Sequence, residues 1–263
     1  MTPVLALLAA LAPGILVCWW ARRLVQSAAD PALPERVHAW RRRSIAAAAT
    51  GTALLLVFLP AQLAWALPLL LLGFLAGGFP VRRGLFGETW SLGRYLVHTV
   101  RAIAAFAGFW VLVMAAPALI SAAPPWRWAT ATVLAGVLLA WGLLHDRILL
   151  RLLRAVALDR PDLEPRLIEI ASRSTAPMPR LYAIGAPGGR WANGLALPST
   201  GPPAVAFTRT LLEMLDVDEI AGIFAHEQAH LEHFDRRRVI RLSLIQATVV
   251  LLGTLGAAAI LSR

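Results

Sequence analysis

Long apolar runs alternate with short arginine-rich stretches along residues 1–145 of the chain. A helix needs about 20 apolar residues to cross about 30 Å of hydrocarbon. The run from Thr2 to Ala21 has that length and carries no charge. Because Arg22 and Arg23 follow this run and do not precede it, we interpret it as a retained membrane anchor and not as a cleaved signal peptide.

The apolar stretch from Ser44 to Pro80 is too long for one span, and Pro60 interrupts it near the middle. A proline inside a helix removes a hydrogen bond and bends or ends the helix. The pattern therefore predicts two spans, 44–59 and 61–79, with a re-entrant pair as the alternative. Further spans are predicted at 102–123, 128–144 and 242–262.

The placement of arginine predicts the orientation of the spans, because short arginine-rich loops stay in the cytoplasm. With six spans and an external amino terminus, the segments 22–43, 80–101 and 145–241 all face the cytoplasm. A single crossing at 44–79 would put the first two of these segments on opposite faces, so the charge pattern favours two crossings. Tryptophans near predicted span ends are typical of interfacial anchors; they are Trp19, Trp20, Trp40, Trp90, Trp126 and Trp128.

The composition agrees with a membrane protein, since 58% of the residues are hydrophobic and 15% are charged, against about 25% charged in soluble domains. A net charge of +10 would indicate nucleic acid as the partner of a soluble protein. Here the arginines lie beside apolar runs, so the lipid bilayer is the predicted partner and no nucleic acid is expected. The single Cys18 excludes an intramolecular disulfide.

Residues 146–241 form the only long stretch able to fold in water. Asp162 is the predicted N-cap of a helix that runs to about Arg173. Strands are predicted where β-forming residues lie between glycine and proline turns, at 180–185, 190–197 and 204–208. A helix over 209–215 follows.

The predicted fold is therefore a multi-pass α-helical membrane protein with a cytoplasm-facing α+β domain. Its predicted divisions are a membrane domain at 1–145 with about five transmembrane helices, the α+β domain at 146–241, and a last transmembrane helix at 242–263.

One polar segment, FAHEQAHLEHFD, stands out in this apolar chain. Asp216 followed by Glu219 predicts a capping box that opens a helix running through the segment to about Asp235. On that helix, His226 and His230 are four positions apart, so their rings project from the same face and can converge on one ion.

Glu227 lies beside the first of these histidines, where its carboxylate can reach a water on the metal instead of the metal itself. This is the H-E-x-x-H arrangement of zinc proteases, so the α+β domain is predicted to be zincin-like. The pattern predicts Zn²⁺ bound by His226 and His230, with Glu227 as the general base that passes a proton to the leaving amine. The alternative is a solvated polar face that leads into the membrane.

The other polar residues of the segment have weaker interpretations. His233 lies about 10 Å along the helix axis from His226, too far to share its ion, and is predicted to be a surface histidine. Glu232 and Asp235 have two interpretations: they orient a ligand histidine, or they pair with the arginines at 236–238.

The run VAFTRTLLEMLDVDEIAGIFAHEQAHLEHFD, the upstream WANGLA and the apolar span directly after the motif resemble the bacterial heat-shock membrane zinc proteases of the HtpX type. These are grouped with the CAAX prenyl proteases among the gluzincins. The resemblance covers about 162–263. It implies a zinc metalloendopeptidase of the bacterial inner membrane that cleaves membrane proteins or peptides in quality control, with its catalytic domain in the cytoplasm.

The resemblance also implies roles for individual residues. His226 and His230 would be zinc ligands and Glu227 the base. Asn193 matches the asparagine of the family's NAFA segment, which lies on an edge strand near the cleft and binds substrate; the alternative is a turn residue before Gly194. This chain reads NGLA there, and it has Gln228 where the family usually has an apolar residue.

The third zinc ligand is not identified. The family supplies a glutamate from a helix well downstream of the motif, and no equivalent is found before Arg263. Glu219 lies seven positions before His226, at the same axial distance from it as His233, and is equally far from its ion. The remaining candidates would need the fold to bring them close; they are Glu164, Glu169 and Glu213. Three explanations stay open: a longer protein, a ligand from elsewhere, or an inactive protein.

Two other function classes remain as alternatives. One is a signal-transducing membrane protein with a zinc-protease-like domain, and the other is a scaffold whose polar helix binds a partner. Neither the substrate nor the oligomeric state is indicated by the sequence.

Overall fold

A computed structural model of the chain describes residues 2–59, 62–122, 124–185, 188–234 and 236–260. The fold is mostly helical, with one small sheet. The helices are α1 (Thr2–Gln26), α2 (Leu33–Phe58), α3 (Leu63–Gly84), α4 (Leu92–Ser121), α5 (Arg127–Leu143), α6 (His145–Leu152), α7 (Glu164–Ser172), α8 (Arg209–Met214), α9 (Val217–His233) and α10 (Arg236–Ile260). The strands are β1 (Val156–Ala157), β2 (Arg180–Ile184), β3 (Gly194–Leu197) and β4 (Ala204–Thr208).

The chain forms two compact units. One comprises Met1–Thr99 together with Pro187–Arg190, and the other comprises Val100–Ala186 together with Trp191–Arg263.

In the first unit, α1, α2 and α3 pack through glycines. A Cβ atom added to Gly14 of α1 would lie 2.5 Å from the carbonyl carbon of Gly73 on α3. A Cβ on Gly51 of α2 would lie 2.7 Å from the ring of Pro13. Small residues at helix crossings are typical of packing within membranes, where close backbone approach replaces the hydrophobic effect.

Three helices of the described residues are long and apolar enough to cross a membrane: Pro3–Gln26 in α1, Trp65–Gly84 in α3, and Leu92–Ser121, which is α4. The pair α5 and α6, bent by 80°, makes a fourth if it is one span. α2 is not among them, because its apolar part after Arg43 covers only about 22 Å at 1.5 Å per residue. The crossing at 44–59 stays a prediction, and Pro60 lies outside the described residues.

The segment 22–43 is not the loop that the sequence predicts. α1 continues to Gln26 and α2 already begins at Leu33, so the arginines of this segment lie in helices, near the end of α1 and within the first half of α2. Arginine favours helix, and Pro34 occupies the first turn of α2, where its missing N–H costs little.

A buried carboxylate organises the loop between α3 and α4. Glu88 is 2% exposed and accepts hydrogen bonds from the guanidinium of Arg82, from Nε1 of Trp90 at 2.7 Å and from the backbone N–H of Arg190 at 3.0 Å. Trp90 is itself 5% exposed. Its predicted role as an interfacial anchor is therefore wrong, because its ring is packed inside the unit and its N–H binds Glu88.

The sheet belongs to the second unit and has the order β1-β2-β4-β3. β2 and β4 are parallel, whereas β1 and β3 pair antiparallel at the two edges. β4 is buried along its whole length, because helices cover both of its faces. Val205 and Phe207 face a core with residues of α7 and α9, while Ala204 and Ala206 face residues of α6.

The strands predicted from the sequence are confirmed as β2, β3 and β4, although β3 begins only at Gly194. The two-residue β1 was not predicted because so short a segment carries no periodic pattern. The predicted N-cap at Asp162 is wrong: Leu163 occupies that position, and Asp162 pairs instead with Arg160.

Candidate functional site

α9 presents two histidines on its exposed face. Its start is set by the predicted capping box, which is confirmed: Asp216 accepts from the N–H of Glu219, and Glu219 accepts from the N–H of Asp216. Phe224 and Leu231 anchor the opposite face in the core. The rotation of the helix is thereby set, and it leaves both histidine rings accessible.

The two rings converge as the sequence predicts. Nε2 of His226 lies 3.1 Å from Nε2 of His230. Two imidazole nitrogens bound to one tetrahedral Zn²⁺, each at about 2.0–2.1 Å, are about 3.3 Å apart. The donor type and the separation therefore fit two ligands of a single zinc ion.

Glu227 points from the same turn of α9 toward the sheet. Its side chain is largely buried, and Oε2 accepts a hydrogen bond from the backbone N–H of Ala196 at 2.7 Å. Ala196 belongs to the edge strand β3. Because alternate residues of an antiparallel strand bond to the neighbouring strand, the N–H that binds Glu227 belongs to the open side of β3. The carboxylate thus lies at the outer edge of the sheet.

Gly194 allows this approach of β3 to α9. A Cβ atom there would lie 2.8 Å from Cγ2 of Ile223 and 3.3 Å from Cγ of Glu227. Ile223 is branched at its Cβ, so that methyl group has little freedom to move away. The position requires glycine because of close contact, and the sequence showed only a turn signal.

Asn193 lies immediately before β3 and is exposed. Its backbone N–H donates to Oγ1 of Thr208 at 2.9 Å, and its carbonyl accepts from the N–H of Thr208 at 3.0 Å. β3 is an edge strand of the sheet, but Asn193 itself lies one position before its first residue. Its role in substrate binding stays a prediction.

Two further residues of α9 hold the loop that follows α7. The amide Nε2 of Gln228 donates to Oγ of Ser174 at 3.1 Å and to the carbonyl of Ala176 at 3.2 Å. Oε1 of Glu232 accepts from the N–H of Thr175 at 2.8 Å. Glu232 therefore has neither of its two predicted partners. Hydrogen bonds from the Ser174 hydroxyl and the Thr175 N–H hold the pKa of Glu232 below its usual value.

The other sequence candidates lie apart from the histidine pair. His233 contacts the guanidinium of Arg238, with its Nδ1 3.1 Å from Nη1 of Arg238. Glu169 pairs with Arg166 and Arg173. Asp235 lies outside the described residues.

A third metal ligand is not found among the residues that the structure describes, which contain no group of three His, Cys, Asp or Glu side chains able to hold a metal. The described part of the site therefore consists of two imidazoles, the carboxylate beside them and the edge of β3.

Residues 157–263 match the family model of peptidase family M48. This part of the chain, called the M48 domain below, is similar to that family. The match spans β2, β3, β4 and α9, and it confirms the resemblance drawn from the sequence. Peptidases of this family are generally zinc-dependent, in agreement with the donor set of the M48 domain. No solved structure matches the chain.

Proposed function

We propose that the protein is a zinc metalloendopeptidase of the bacterial inner membrane that hydrolyses membrane proteins or peptides in quality control, with its M48 domain facing the cytoplasm. The observation that carries this proposal is the pair of Nε2 atoms 3.1 Å apart on the turn of α9 that also aims Glu227 at the edge strand.

His226 and His230 would hold the zinc. When bound, the ion supplies Lewis acidity that polarises the scissile carbonyl and lowers the pKa of water. Glu227 accepts a proton from the attacking water and returns it to the leaving amine. The Ala196 N–H holds Oε2 of Glu227, so the carboxylate keeps one orientation and Oε1 remains available for the proton.

β3 offers the backbone against which a substrate would bind. Its inner side pairs with β4, and its outer side provides, beside the Ala196 N–H that binds Glu227, further N–H and C=O groups for an extended peptide. Glu227 bonds to this outer side, which would put the base next to the peptide backbone. Asn193 would contact the peptide at the beginning of the strand. Recognition of this kind relies on backbone pairing and accepts many sequences.

The proposal that the substrates are membrane proteins or peptides is supported by the position of the motif in the chain. α10 begins at Arg236, six positions after His230, and covers most of the predicted last span. Many large apolar side chains of α10 are exposed, such as Val249 and Leu252. A site so close in sequence to an apolar helix favours peptides that leave or approach the bilayer.

The test measures zinc and peptide cleavage on the full chain, purified in mild detergent without chelator. We expect one zinc per chain and hydrolysis of an unfolded membrane-protein substrate. His226→Ala removes both zinc and hydrolysis, whereas Glu227→Gln keeps zinc and lowers the rate of hydrolysis by about 100-fold or more. His233→Ala is the matched control on the same helix and changes neither.

Three outcomes would contradict the proposal. Hydrolysis that survives Glu227→Gln would exclude this residue as the base. A chain without bound zinc would exclude the metal site. Zinc without hydrolysis would favour the alternative, a catalytically inactive or signal-transducing protein.

A further inference from the structure

A cavity of about 390 Å³ lies between the end of α1 and the beginning of α2, within the first unit. Tryptophan and arginine side chains form most of its wall: Trp19, Trp20, Arg23, Arg36, Trp40 and Arg43. No residue of the M48 domain contributes to it, so the peptidase site does not account for it.

The cavity has a strong positive charge. Three arginines line it, Arg23, Arg36 and Arg43, and none of its lining residues is a carboxylate. Asp30 is already paired with Arg36 at 2.6 Å. The guanidinium of Arg23 lies 4.2 Å from the ring centre of Trp19, a cation–π contact that restricts its position. Arg23 and Arg43 both line the cavity, and guanidinium groups bind phosphate through two parallel hydrogen bonds.

A second, apolar cavity of about 380 Å³ continues from the first one. The two share Trp20 and Arg43, and the second runs between α1 and α2 to Ala9 and Leu54. From residue 20 to residue 9 of α1 the groove covers about 16 Å at 1.5 Å per residue. Because α1 is apolar enough to span a membrane, the groove follows a membrane-spanning helix away from its charged end.

We infer that these two cavities together bind one anionic glycerophospholipid. The phosphate lies between Arg23 and Arg43, and one acyl chain lies in the groove between α1 and α2. The positive charge selects an anionic headgroup over a zwitterionic one, since basic pockets between membrane helices attract anionic lipids. The groove distinguishes a lipid from inorganic phosphate, which would occupy the first cavity alone.

The first experiment uses the unmodified full chain in neutral detergent micelles. Phosphatidylglycerol, phosphatidylcholine or inorganic phosphate is added, and the thermal unfolding midpoint is recorded. We expect phosphatidylglycerol to raise the midpoint, because a ligand that binds only the folded state stabilises it. Equal shifts with phosphatidylcholine, or a shift with inorganic phosphate as large as that with the lipid, would overturn the inference.

The second experiment compares two double variants with the same loss of charge. Arg23→Gln with Arg43→Gln removes the two cavity arginines, and Arg22→Gln with Arg42→Gln removes their neighbours, which do not line either cavity. The loss of two charge-assisted contacts is expected to lower the affinity of the first variant for phosphatidylglycerol by about 100-fold. The second variant is the control and should keep its affinity for phosphatidylglycerol within about threefold. Neutral micelles provide no charged surface to which its two missing arginines would otherwise have been attracted. Equal losses in both variants would reject a specific site.

The groove is tested by fluorescence on the unmodified chain. Phosphatidylglycerol with brominated acyl chains is expected to quench tryptophan fluorescence more than brominated phosphatidylcholine at the same concentration. Trp20→Phe removes most of this excess, because Trp20 lines both cavities. Equal quenching by the two lipids would show that no acyl chain is held in the groove.

Discussion

At Gly194 the edge strand packs against the helix of the H-E-x-x-H motif. The contact leaves no room for a methyl group, because an added Cβ atom would lie 2.8 Å from Ile223 and 3.3 Å from Glu227. Because Glu227 also accepts the N–H of Ala196, the position of its carboxylate depends on this contact.

We expect Gly194→Ala to move Glu227 away from the edge strand. The added methyl group would lower the free energy of unfolding by about 1–3 kcal/mol, and a displacement of the base by about 1 Å would lower the rate of hydrolysis by about 100-fold. Zinc content should stay unchanged, because the histidines project from another face. Thermal unfolding, hydrolysis and metal analysis measure the three effects.

Gly222→Ala is the matched control on α9. A Cβ atom at Gly222 meets no atom within 4 Å, and alanine favours helix over glycine by up to about 1 kcal/mol. This variant should therefore be equally or more stable and fully active. Loss of hydrolysis in Gly222→Ala as well would show that a methyl group without any steric contact also disturbs the site, and the contact between β3 and α9 would then not be the cause.

Gln228 shows why a site residue can escape a sequence pattern. A polar residue at a buried helix position conflicts with the hydrophobic periodicity, which is the only local sign of its role. Its partners Ser174 and Ala176 lie more than fifty positions earlier in the chain. Only the fold brings them together.

At the level of elements, local signals predicted the beginning of α9 and the strands of the sheet. The capping box joins residues three positions apart, so both of its hydrogen bonds can be inferred from the sequence. Asp162 carried a similar signal but pairs with Arg160 instead. A cap signal without its reciprocal partner is weaker, because a nearby arginine competes for the carboxylate.

The conformation of the loop between α3 and α4 depends on one buried side chain, Glu88. Glu88 accepts hydrogen bonds from Arg82, Trp90 and Arg190, and Arg190 comes from a distant part of the sequence. The segment 188–190 is thereby tied to the first unit, directly before Trp191 and the strand β3.

We expect Glu88→Ala to detach the segment 188–190 from the first unit and to destabilise the protein. Removing one partner of a buried ion pair costs about 3 kcal/mol or more, and the partial exposure of Arg82 favours the lower end of that range. The thermal unfolding midpoint should fall, and trypsin should cleave faster after Arg190. Glu35→Ala, at an exposed position of α2, is the control and should change neither result.

On the scale of the whole molecule, arginine placement and hydropathy predict which side of the membrane each loop faces. The structure supplies the helices but contains no bilayer, so the orientation is open to a direct test. The free Cys18 is replaced by serine, and a single cysteine is introduced at exposed positions.

We expect Met214→Cys to react with a membrane-impermeant maleimide only after the cells are opened, because residues 145–241 are predicted to be cytoplasmic. Ser121→Cys, at the end of α4, should react in intact cells. Both residues are exposed, so accessibility within the fold does not limit either reaction. The reverse pattern would contradict the orientation and the cytoplasmic location of the M48 domain.

By itself the sequence determined the membrane class, the order of the elements around the motif, and the pairing of His226 with His230, because each depends on residues close together in the chain. Only the tertiary structure decided that Glu227 meets the open edge of β3, that Gln228 and Glu232 hold the loop after α7, and that α1 and α2 enclose a charged cavity. These features join residues far apart in sequence, and a spacing rule carries no information about which distant surfaces come into contact.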